Sequence, residues 1–356
     1  MGIFEKDRDL TEAPDEVRLV VDASTFRVKA RGFAMRLDHF LNHHLKWRSR
    51  SSVQTLIRGG YVEVDAARPD APGGTGERRV ETRSGAKVRH GSRVYIRIPD
   101  AYRTLLIGDT ADELEILYED VDALVVDKPP LVAVHPSGRY MTDTLIQRVH
   151  KRFREEIESG QMLPRLCHRL DRETSGIVLI GKRPQTHGAL TTQFEDRLVE
   201  KEYLAILAGE LSEATGSTDA PIRLSTTSPI ELEMTTAADG LPCRTDWVVL
   251  DVAHGRSLVR LQIHTGRQHQ IRVHMAALGA PLVGDKLYGP DREIFLRAIA
   301  GEMTELDRER LVLERHALHS HRLVFARPAM SGGRGESVEV VSELPADLKE
   351  AFPEFA

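Results

Sequence analysis

Asp171 is the residue of this sequence best suited to act as a nucleophile. It lies between Arg169 and Arg172 in the stretch HRLDRETSGIVLIG, directly before an apolar run typical of a buried strand. A carboxylate nucleophile must stay ionised and aimed, and a neighbouring guanidinium serves both needs. An ordinary surface ion pair ahead of a strand would show the same pattern. The stretch alone therefore leaves both interpretations open.

Other polar residues lie at the edges of apolar segments further along the chain. Tyr203 lies inside KEYLAIL, a predicted strand, where an aromatic residue usually belongs to the core. Four polar residues crowd the start of one predicted helix, namely Arg267, His269, Gln270 and Arg272. The free N–H groups and positive end of a helix N-terminus favour an anionic ligand such as phosphate. If Arg272 meets Asp171 in a partly buried cleft, it keeps the carboxylate ionised.

The composition is that of a globular protein. The chain has 356 residues, 41% hydrophobic and 29% charged, and its length suggests about two domains. No apolar run approaches the roughly 20 residues of a membrane span, and the start is too charged for a signal peptide. Two cysteines, Cys167 and Cys243, do not make a disulfide framework. We therefore expect a cytoplasmic protein that is not attached to a membrane.

The charge is distributed unevenly along the chain. Residues 35–98 hold 13 Lys or Arg against 6 Asp or Glu, so the remainder carries −12 although the whole chain carries only −5. A basic block joined to an acidic body is typical of a nucleic-acid-binding module on a separate domain. A solvated charged face would explain the charge equally well.

The periodicity of apolar residues predicts two regions of different structure. In the basic block, apolar residues at helical spacing predict one helix over RLDHFLNHHL and a second that ends at Gly59-Gly60, followed by strands. From residue 114 onward strands and helices alternate without a regular βαβ order or a Gly-rich phosphate loop, which favours an α+β fold with a mixed sheet. Residues 291–316 are predicted to form a charged helical insertion.

Several motifs, taken in order, resemble those of one known family. The chain from about residue 35 to 350 resembles the RluA-type pseudouridine synthases in HRLDRETSG at 168–176, KEYLA at 201–205, TGRQHQIRVH at 265–274, PLVGDKLYG at 281–289 and LHSHRLVF at 318–325. Residues 36–65 resemble the small RNA-binding domain named after ribosomal small-subunit protein four, which often precedes this catalytic domain. The resemblance implies a largely antiparallel sheet flanked by helices. It also implies a division into an N-terminal tail and strand at 1–34, an RNA-binding domain at 35–98, a linker at 99–113 and a catalytic domain at 114–350.

The resemblance also implies a role for each candidate residue. Asp171 is the catalytic aspartate, which attacks carbon 6 of uracil or carbon 1′ of ribose in a uridine flipped out of the RNA. Arg169 fills the gap in the base stack, and Tyr203 lies against the uracil with its hydroxyl as a proton relay. Arg272 pairs with Asp171, and the other predicted substrate-binding residues are His168, Arg267, His269 and Gln270. The predicted RNA-binding residues of the basic block are Arg36, Lys46, Arg48, Arg50 and Arg58.

The reaction is an isomerisation, so the resemblance implies no cofactor. We expect no metal either, because the spacings of the histidines between 264 and 321 lack the pairs that zinc sites use. The expected partner is RNA, with large-subunit ribosomal RNA first and transfer RNA second, and the expected state is a monomer.

The sequence departs from the family pattern at three positions. Leu131 follows Lys-Pro-Pro where the family usually has Gly, Arg327 precedes Pro328 in place of His, and Cys243 replaces Ala or Ser. None of the three is a proposed catalytic residue, so they bear on local geometry rather than on the activity.

Two other functions compete with the isomerase. A catalytically idle RNA-binding or ribosome-assembly protein of the same fold would be favoured by loss of Asp171, Tyr203 or Arg272, and all three are present. A carboxylate-dependent glycosidase needs a second acid as proton donor, and Glu173 is the nearby candidate.

Overall fold

The computed structural model describes residues 16–26, 28–44, 50–68, 73–97, 114–135, 143–329 and 334–356. Within these ranges the chain forms two compact units. The first contains the described residues up to 97 together with residue 135 and residues 143–152, and the second contains residues 114–134 and those from 153 onward. The predicted linker at 99–113 lies outside the described residues.

The first unit contains a small antiparallel sheet and helices. Its strands are β1 (Glu16–Val20), β2 (Ala34–Arg36), β3 (Val62–Asp65), β4 (Arg79–Val80), β5 (Lys87–Arg89) and β6 (Arg93–Arg97). Its helices are α1 (Leu37–His44), α2 (Arg50–Arg58) and α3 (Leu145–Arg152), with a 3-10 turn at Ala23–Phe26. The main sheet has the order β1-β6-β3-β4, and β2 pairs with β5. Strand β1 therefore belongs to the same sheet as the strands of the basic block.

The two helices predicted in the basic block are present. Apolar residues three and four positions apart form one stripe on each helix, and these stripes meet in the core of the unit. Phe40 and Leu41 from α1 and Val53 and Ile57 from α2 are completely buried there. Helix α2 ends at Arg58, directly before Gly59-Gly60, as predicted.

The second unit contains a ten-stranded sheet. Its strands are β7 (Glu115–Glu119), β8 (Ala123–Lys128), β9 (Arg165–Leu166), β10 (Ser175–Gly181), β11 (Glu200–Leu207), β12 (Thr215–Thr218), β15 (Thr245–Ala253), β16 (Arg256–Ile263), β17 (Leu318–Pro328) and β18 (Arg334–Val341). Their order is β12-β15-β16-β11-β17-β10-β8-β7, and β18 pairs with β17 and β9 with β10. A separate hairpin pairs β13 (Ile222–Leu224) with β14 (Met234–Thr236). Among the described strands only β10 and β17 run parallel. The prediction of a mixed, largely antiparallel sheet is confirmed.

The second unit also contains helices, some of which pack on this sheet. They are α4 (Arg154–Glu158), α5 (Pro184–Glu195), α6 (Gln270–Ala277), α7 (Glu293–Ala300), α8 (Glu305–Leu311) and α9 (Ala346–Ala351), with a 3-10 turn at Pro353–Phe355. Leu190 of α5 packs on the central strands, and Leu348 and Phe352 of the C-terminal segment pack beneath β11. The charged insertion is helical as predicted, and a capping box at Thr304 begins α8. The described residues contain no helix that could cross a membrane.

Leu131, the first departure from the family pattern, keeps the conformation that glycine favours. Its φ of 67° lies in the left-handed region, which costs a residue with a Cβ roughly 1–2 kcal/mol. The buried amine of Lys128 donates to the carbonyls of Pro129 and Val132 on either side, which fixes this turn. The turn therefore places a leucine in a strained backbone conformation. At the other two departures, Arg327 pairs with Asp120 and Cys243 is a buried free thiol.

Gly176 should be indispensable to the junction of β10 and β17. Its φ is 106°, and an added Cβ would lie 2.3 Å from the backbone oxygen of Ser320. Gly176→Ala should lower the free energy of unfolding by about 2–4 kcal/mol, from backbone strain and overpacking together. Gly188→Ala is the matched control, because Gly188 lies inside α5 with open space around the position of an added Cβ. The control should raise stability by about 0.5–1 kcal/mol, and urea unfolding measures both. Equal stability of the two variants would contradict this account of the junction.

Candidate active site

The Asp171 side chain is partly exposed, with 26% of its surface accessible. Its Oδ2 atom accepts a hydrogen bond from Nη1 of Arg272 at 3.0 Å, and Nε2 of His269 lies 3.9 Å from the same oxygen. From the described residues no hydrogen bond reaches Oδ1. One oxygen is therefore held, and the other is left for an electrophile.

The surroundings of Asp171 keep it ionised. Burial would raise its pKa, but His269 and Arg272 outweigh that effect and lower the pKa to about 2. Burial in turn lowers the pKa of His269 to about 4, so this ring is neutral at pH 7. Arg272 is then the permanent counter-ion of the carboxylate at neutral pH. The predicted meeting of Asp171 and Arg272 therefore has the geometry that a charged nucleophile needs.

Asp285, which the sequence analysis does not single out, holds Arg272 from the opposite side. Its completely buried carboxylate accepts from Nε and Nη2 of Arg272 at 2.6 and 2.9 Å. The same carboxylate accepts from the backbone N–H groups of Leu287 and Tyr288. Burial opposes ionisation of Asp285, but Arg272 dominates and holds its pKa well below the usual range. The sequence signal that could have indicated Asp285 is an acidic residue inside the otherwise largely apolar motif PLVGDKLYG.

The start of α6 is built around His269. This residue has a φ of 56° at the N-cap, in the left-handed region that few residues with a Cβ adopt. Its Nδ1 shares a hydrogen bond of 2.8 Å with the Tyr288 hydroxyl, which also accepts from the backbone N–H of Met234 at 2.9 Å. Tyr288 therefore fixes the His269 ring and ties it to the β13–β14 hairpin.

Gln270, predicted to bind substrate, has a side chain whose hydrogen bonds are made within the protein. Its side chain is buried, its Oε1 accepts from Thr265 Oγ1 and the Arg267 N–H, and its Nε2 donates to Arg244 O and Thr245 Oγ1. All four bonds of the amide are used, so none remains for a ligand. Gln270 shapes the loop that carries Arg267, whose Nε reaches Pro242 O at 3.3 Å and whose side chain is half-buried.

His168, also predicted to bind substrate, has its side chain engaged within the protein. Its Nε2 accepts from the Leu179 N–H at 3.0 Å, and its ring stacks on Phe194 of α5 at 4.7 Å. Burial lowers its pKa to about 3, which keeps the ring neutral and able to accept. The next residue, Arg169, is exposed.

Tyr203 lies on β11 beside a bulge between Glu202 and Tyr203. The residue is buried, and Asp171 is among the charges that act on its phenol. Burial raises the pKa of Tyr203 to about 12 against an opposing effect of the Ser320 side chain, so the phenol keeps its proton at neutral pH. A neutral phenol near the carboxylate can stack on a base with its ring and donate with its hydroxyl.

Glu173 does not have the environment of a catalytic proton donor. Both of its carboxylate oxygens accept from Lys286 Nζ at 3.0 Å, and Oε2 also accepts from the His316 N–H. Burial opposes ionisation, but His316 and Lys286 lower the pKa of Glu173. A glycosidase acid needs a raised pKa, so this arrangement argues against a glycosidase.

Of the predicted RNA-binding residues, Arg36 and Arg58 have described side chains. Arg36 forms a bidentate pair with Asp38, at 2.9 Å for both hydrogen bonds, while Arg58 is exposed and contacts Gln54 at 3.3 Å. Lys46, Arg48 and the Arg50 side chain lie outside the described residues. Within the described ranges no group of three potential ligands could hold a metal ion.

The site thus combines an ionised, partly exposed carboxylate with a buried arginine on a mixed sheet. Residues 122–277 match the family model described as RNA pseudouridylate synthase. The chain is 34% identical to an uncharacterised RNA pseudouridine synthase of Chloroflexus aurantiacus over 341 residues, 96% of this chain and 94% of the relative. It is 30% identical over 241 residues to ribosomal large subunit pseudouridine synthase D of Zymomonas mobilis, covering 67% and 72% of the two chains. The structure of human RNA pseudouridylate synthase domain containing 1 matches with a TM-score of 0.51 and 30% identity, covering 65% of this chain and 84% of that one.

The chain therefore belongs to the RNA pseudouridine synthase family. It is an isomerase that acts on RNA, as the sequence predicted.

Proposed function

We propose that Asp171 is the nucleophile that converts a flipped-out uridine to pseudouridine. The observation that carries the proposal is the partly exposed carboxylate, with one oxygen held by Arg272 at 3.0 Å and the other unbonded within the described residues. Asp171 bonds to carbon 6 of the uracil or carbon 1′ of the ribose, and this bond breaks again before the product leaves, which regenerates the carboxylate. The bond from N1 to carbon 1′ breaks, a bond from carbon 5 to carbon 1′ forms, carbon 5 loses its proton and N1 gains one. The atoms balance without a redox partner.

The neighbours of Asp171 take the roles that their contacts allow. Arg272 keeps Asp171 charged, and Tyr203 stacks on the uracil and offers a neutral hydroxyl as a proton relay. His269 and Arg267 lie at the start of α6, where phosphate is favoured. Arg169 is exposed, as required of a residue that fills the gap left by the flipped base.

We infer that the first unit binds RNA in the manner of the domain named after ribosomal small-subunit protein four. Helices α1 and α2 with the strands behind them match the expected helix-helix-strand order, and the block carries the excess of basic residues. We place this domain at 35–98 and the catalytic domain at 114–350. We propose that a monomer acts on large-subunit ribosomal RNA, supported by the name of the Zymomonas relative, with transfer RNA second. The cytoplasmic location stays a prediction.

The test compares RNA from cells with and without this protein. Pseudouridines are mapped in ribosomal and transfer RNA by reverse-transcription stops after carbodiimide treatment. Loss of one or a few sites in large-subunit RNA is the expected result. The purified protein should then release tritium from carbon 5 of uracil in a transcript containing the lost site. Unchanged maps together with no tritium release from any ribosomal or transfer RNA would overturn the proposal.

The arginines of the basic block should set the salt dependence of RNA binding. Replacing Arg48, Arg50 and Arg58 together by Gln should weaken binding and reduce the slope of log Kd against log salt by about 0.7–0.9 for each phosphate that the variant no longer neutralises. Arg36 is left in place because Asp38 already engages its guanidinium. Arg18→Gln, which removes an exposed arginine paired with Glu16 on β1, is the control and should leave the slope unchanged. Equal slopes for the triple variant and wild type would argue against an RNA face here.

A further inference from the structure

The loop that carries Asp171 packs along the beginning of β17. The hydroxyl of Thr174 is 2.7 Å from His316 Nε2, and the hydroxyl of Ser175 is 3.0 Å from His319 Nδ1. Gly176 then pairs with Ser320 in the parallel ladder. Residues 315–320, outside the segment that matches the family model, therefore form the surface against which this loop is set.

Arg315 makes the connection from this surface to the loop backbone. Its side chain is buried, and Nη1 donates to the carbonyls of His316 and Leu318 at 3.2 Å and of Glu173 at 3.4 Å. The other side of the guanidinium donates to Asp347 of α9, at 2.7 Å from Nε and 3.0 Å from Nη2. A planar guanidinium has donors in fixed directions, so Asp347 sets the direction in which Nη1 points.

The adjacent backbone carbonyl is held in the same way. Lys128, completely buried, donates to Arg172 O at 3.1 Å as well as to its own turn. The carbonyls of Arg172 and Glu173, the two residues after Asp171, are therefore each held by a buried side chain, and neither of these side chains donates to the Asp171 carboxylate. A misplacement of about 1 Å in a nucleophile can cost about 100-fold in rate, so this backbone support bears directly on catalysis.

We propose that Arg315 is a positioning residue for the Asp171 nucleophile, and that Asp347 of the C-terminal helix is its anchor. Through this pair the C-terminal segment contributes to the active site without contacting substrate. The inference rests on the proposed role of Asp171.

The test compares Arg315→Met, Arg315→Lys and Asp347→Asn with a control on the same segment. Glu343→Gln removes an exposed ion pair with Lys349 of 3.5 Å and leaves the hydrogen bonds of Arg315 in place. Single-turnover tritium release at saturating enzyme is measured beside the Kd for the same transcript, using the RNA that wild type modifies. Circular dichroism and Tm set a common temperature at which every variant is folded.

Arg315→Met should lower the single-turnover rate by about 10–100-fold with Kd within about 2-fold, because the nucleophile shifts while the groups that bind RNA stay in place. Arg315→Lys should recover part of the rate, Asp347→Asn should fall between Arg315→Met and wild type, and Glu343→Gln should match wild type. A wild-type rate per folded molecule in Arg315→Met, or an effect confined to Kd, would overturn the positioning role.

Asp171→Asn measured alongside separates the two proposals. If Asp171→Asn is inactive while the Arg315 variants are fully active, the positioning role of Arg315 is refuted and the nucleophile role of Asp171 stands. If Asp171→Asn turns over like wild type, the proposed nucleophile fails whatever the Arg315 variants do.

Discussion

Asp171→Asn should release no measurable tritium from uridine-labelled RNA, a reduction of at least about 1,000-fold in single-turnover rate. The amide keeps the volume of the carboxylate, and its oxygen can still accept from Arg272 Nη1, which lies at 3.0 Å in the wild type. The variant lacks the charged oxygen that forms the covalent bond. Because the side chain keeps its size and its hydrogen bond to Arg272, the Kd for RNA should change by less than about 3-fold, and any change should be towards tighter binding as a negative charge is removed.

Glu195→Gln is the matched control for this variant. Glu195 is an exposed acid at the end of α5, so its amide removes the same charge from the same protein outside the site around Asp171. The control should keep the wild-type rate and Kd. Turnover of Asp171→Asn within about 10-fold of wild type would show that Asp171 does not form the covalent bond. An asparagine amide can neither form that bond nor act as a general acid or base in its place.

The sequence predicted the pairing of Asp171 with Arg272 across 101 positions, but it did not predict what supports that pair. Asp285 lies 13 residues beyond Arg272, after the helix has ended, so no helical or strand periodicity places the two side chains together. Its burial depends on tertiary packing, which a single sequence does not display. Arg315 gave no sequence signal for the same reason, since its partners come from separate segments.

Two predicted substrate-binding residues use their side chains within the protein framework, for a common physical reason. His168 and Gln270 are close in sequence to Asp171 and Arg272, but proximity along the chain does not place a side chain next to substrate. The His168 ring stacks on Phe194, whereas the Asp171 side chain three residues later stays partly exposed beside Arg272. Gln270 is the first residue of α6, and its side-chain amide bonds to groups of the preceding loop and to the carbonyl of Arg244.

Regular elements were predictable where periodicity and end signals agreed, as in α2 with its Gly-Gly stop. The periodicity of TLIQRVHKRFREEI predicts one helix, whereas the segment forms α3 and α4 with a break at Phe153, whose ψ of 32° leaves the helical region. The β13–β14 hairpin gave no signal because its strands have three residues each, too few to show an alternation.

Arg272→Met should be the most destabilising single change at the site. Among the described residues, it leaves the completely buried Asp285 carboxylate with only the backbone donors of Leu287 and Tyr288, and breaking such a buried pair costs about 3–5 kcal/mol. Asp285→Asn alone should cost about 1–3 kcal/mol, because Arg272 keeps Asp171 as a partner. Urea unfolding at pH 7 measures both, and tritium release should be abolished in Arg272→Met and reduced in Asp285→Asn.

The double variant Arg272→Met with Asp285→Asn distinguishes the two functions of the arginine. With both buried charges gone the double should be more stable than Arg272→Met, giving a coupling free energy of about 2–3 kcal/mol, while it should stay inactive because Asp171 has no counter-ion. The exposed pair of Arg223 and Asp239, at 2.7 Å, is the control cycle and should give a coupling below about 1 kcal/mol. Recovered activity in the double variant would contradict the role of Arg272 at Asp171. Additive losses of stability from the two single variants would contradict a buried ion pair between Arg272 and Asp285. Activity and stability are therefore read out separately in the double variant. Arg272 supports the Asp171 nucleophile through Nη1 and the fold through Nε and Nη2, which bind Asp285.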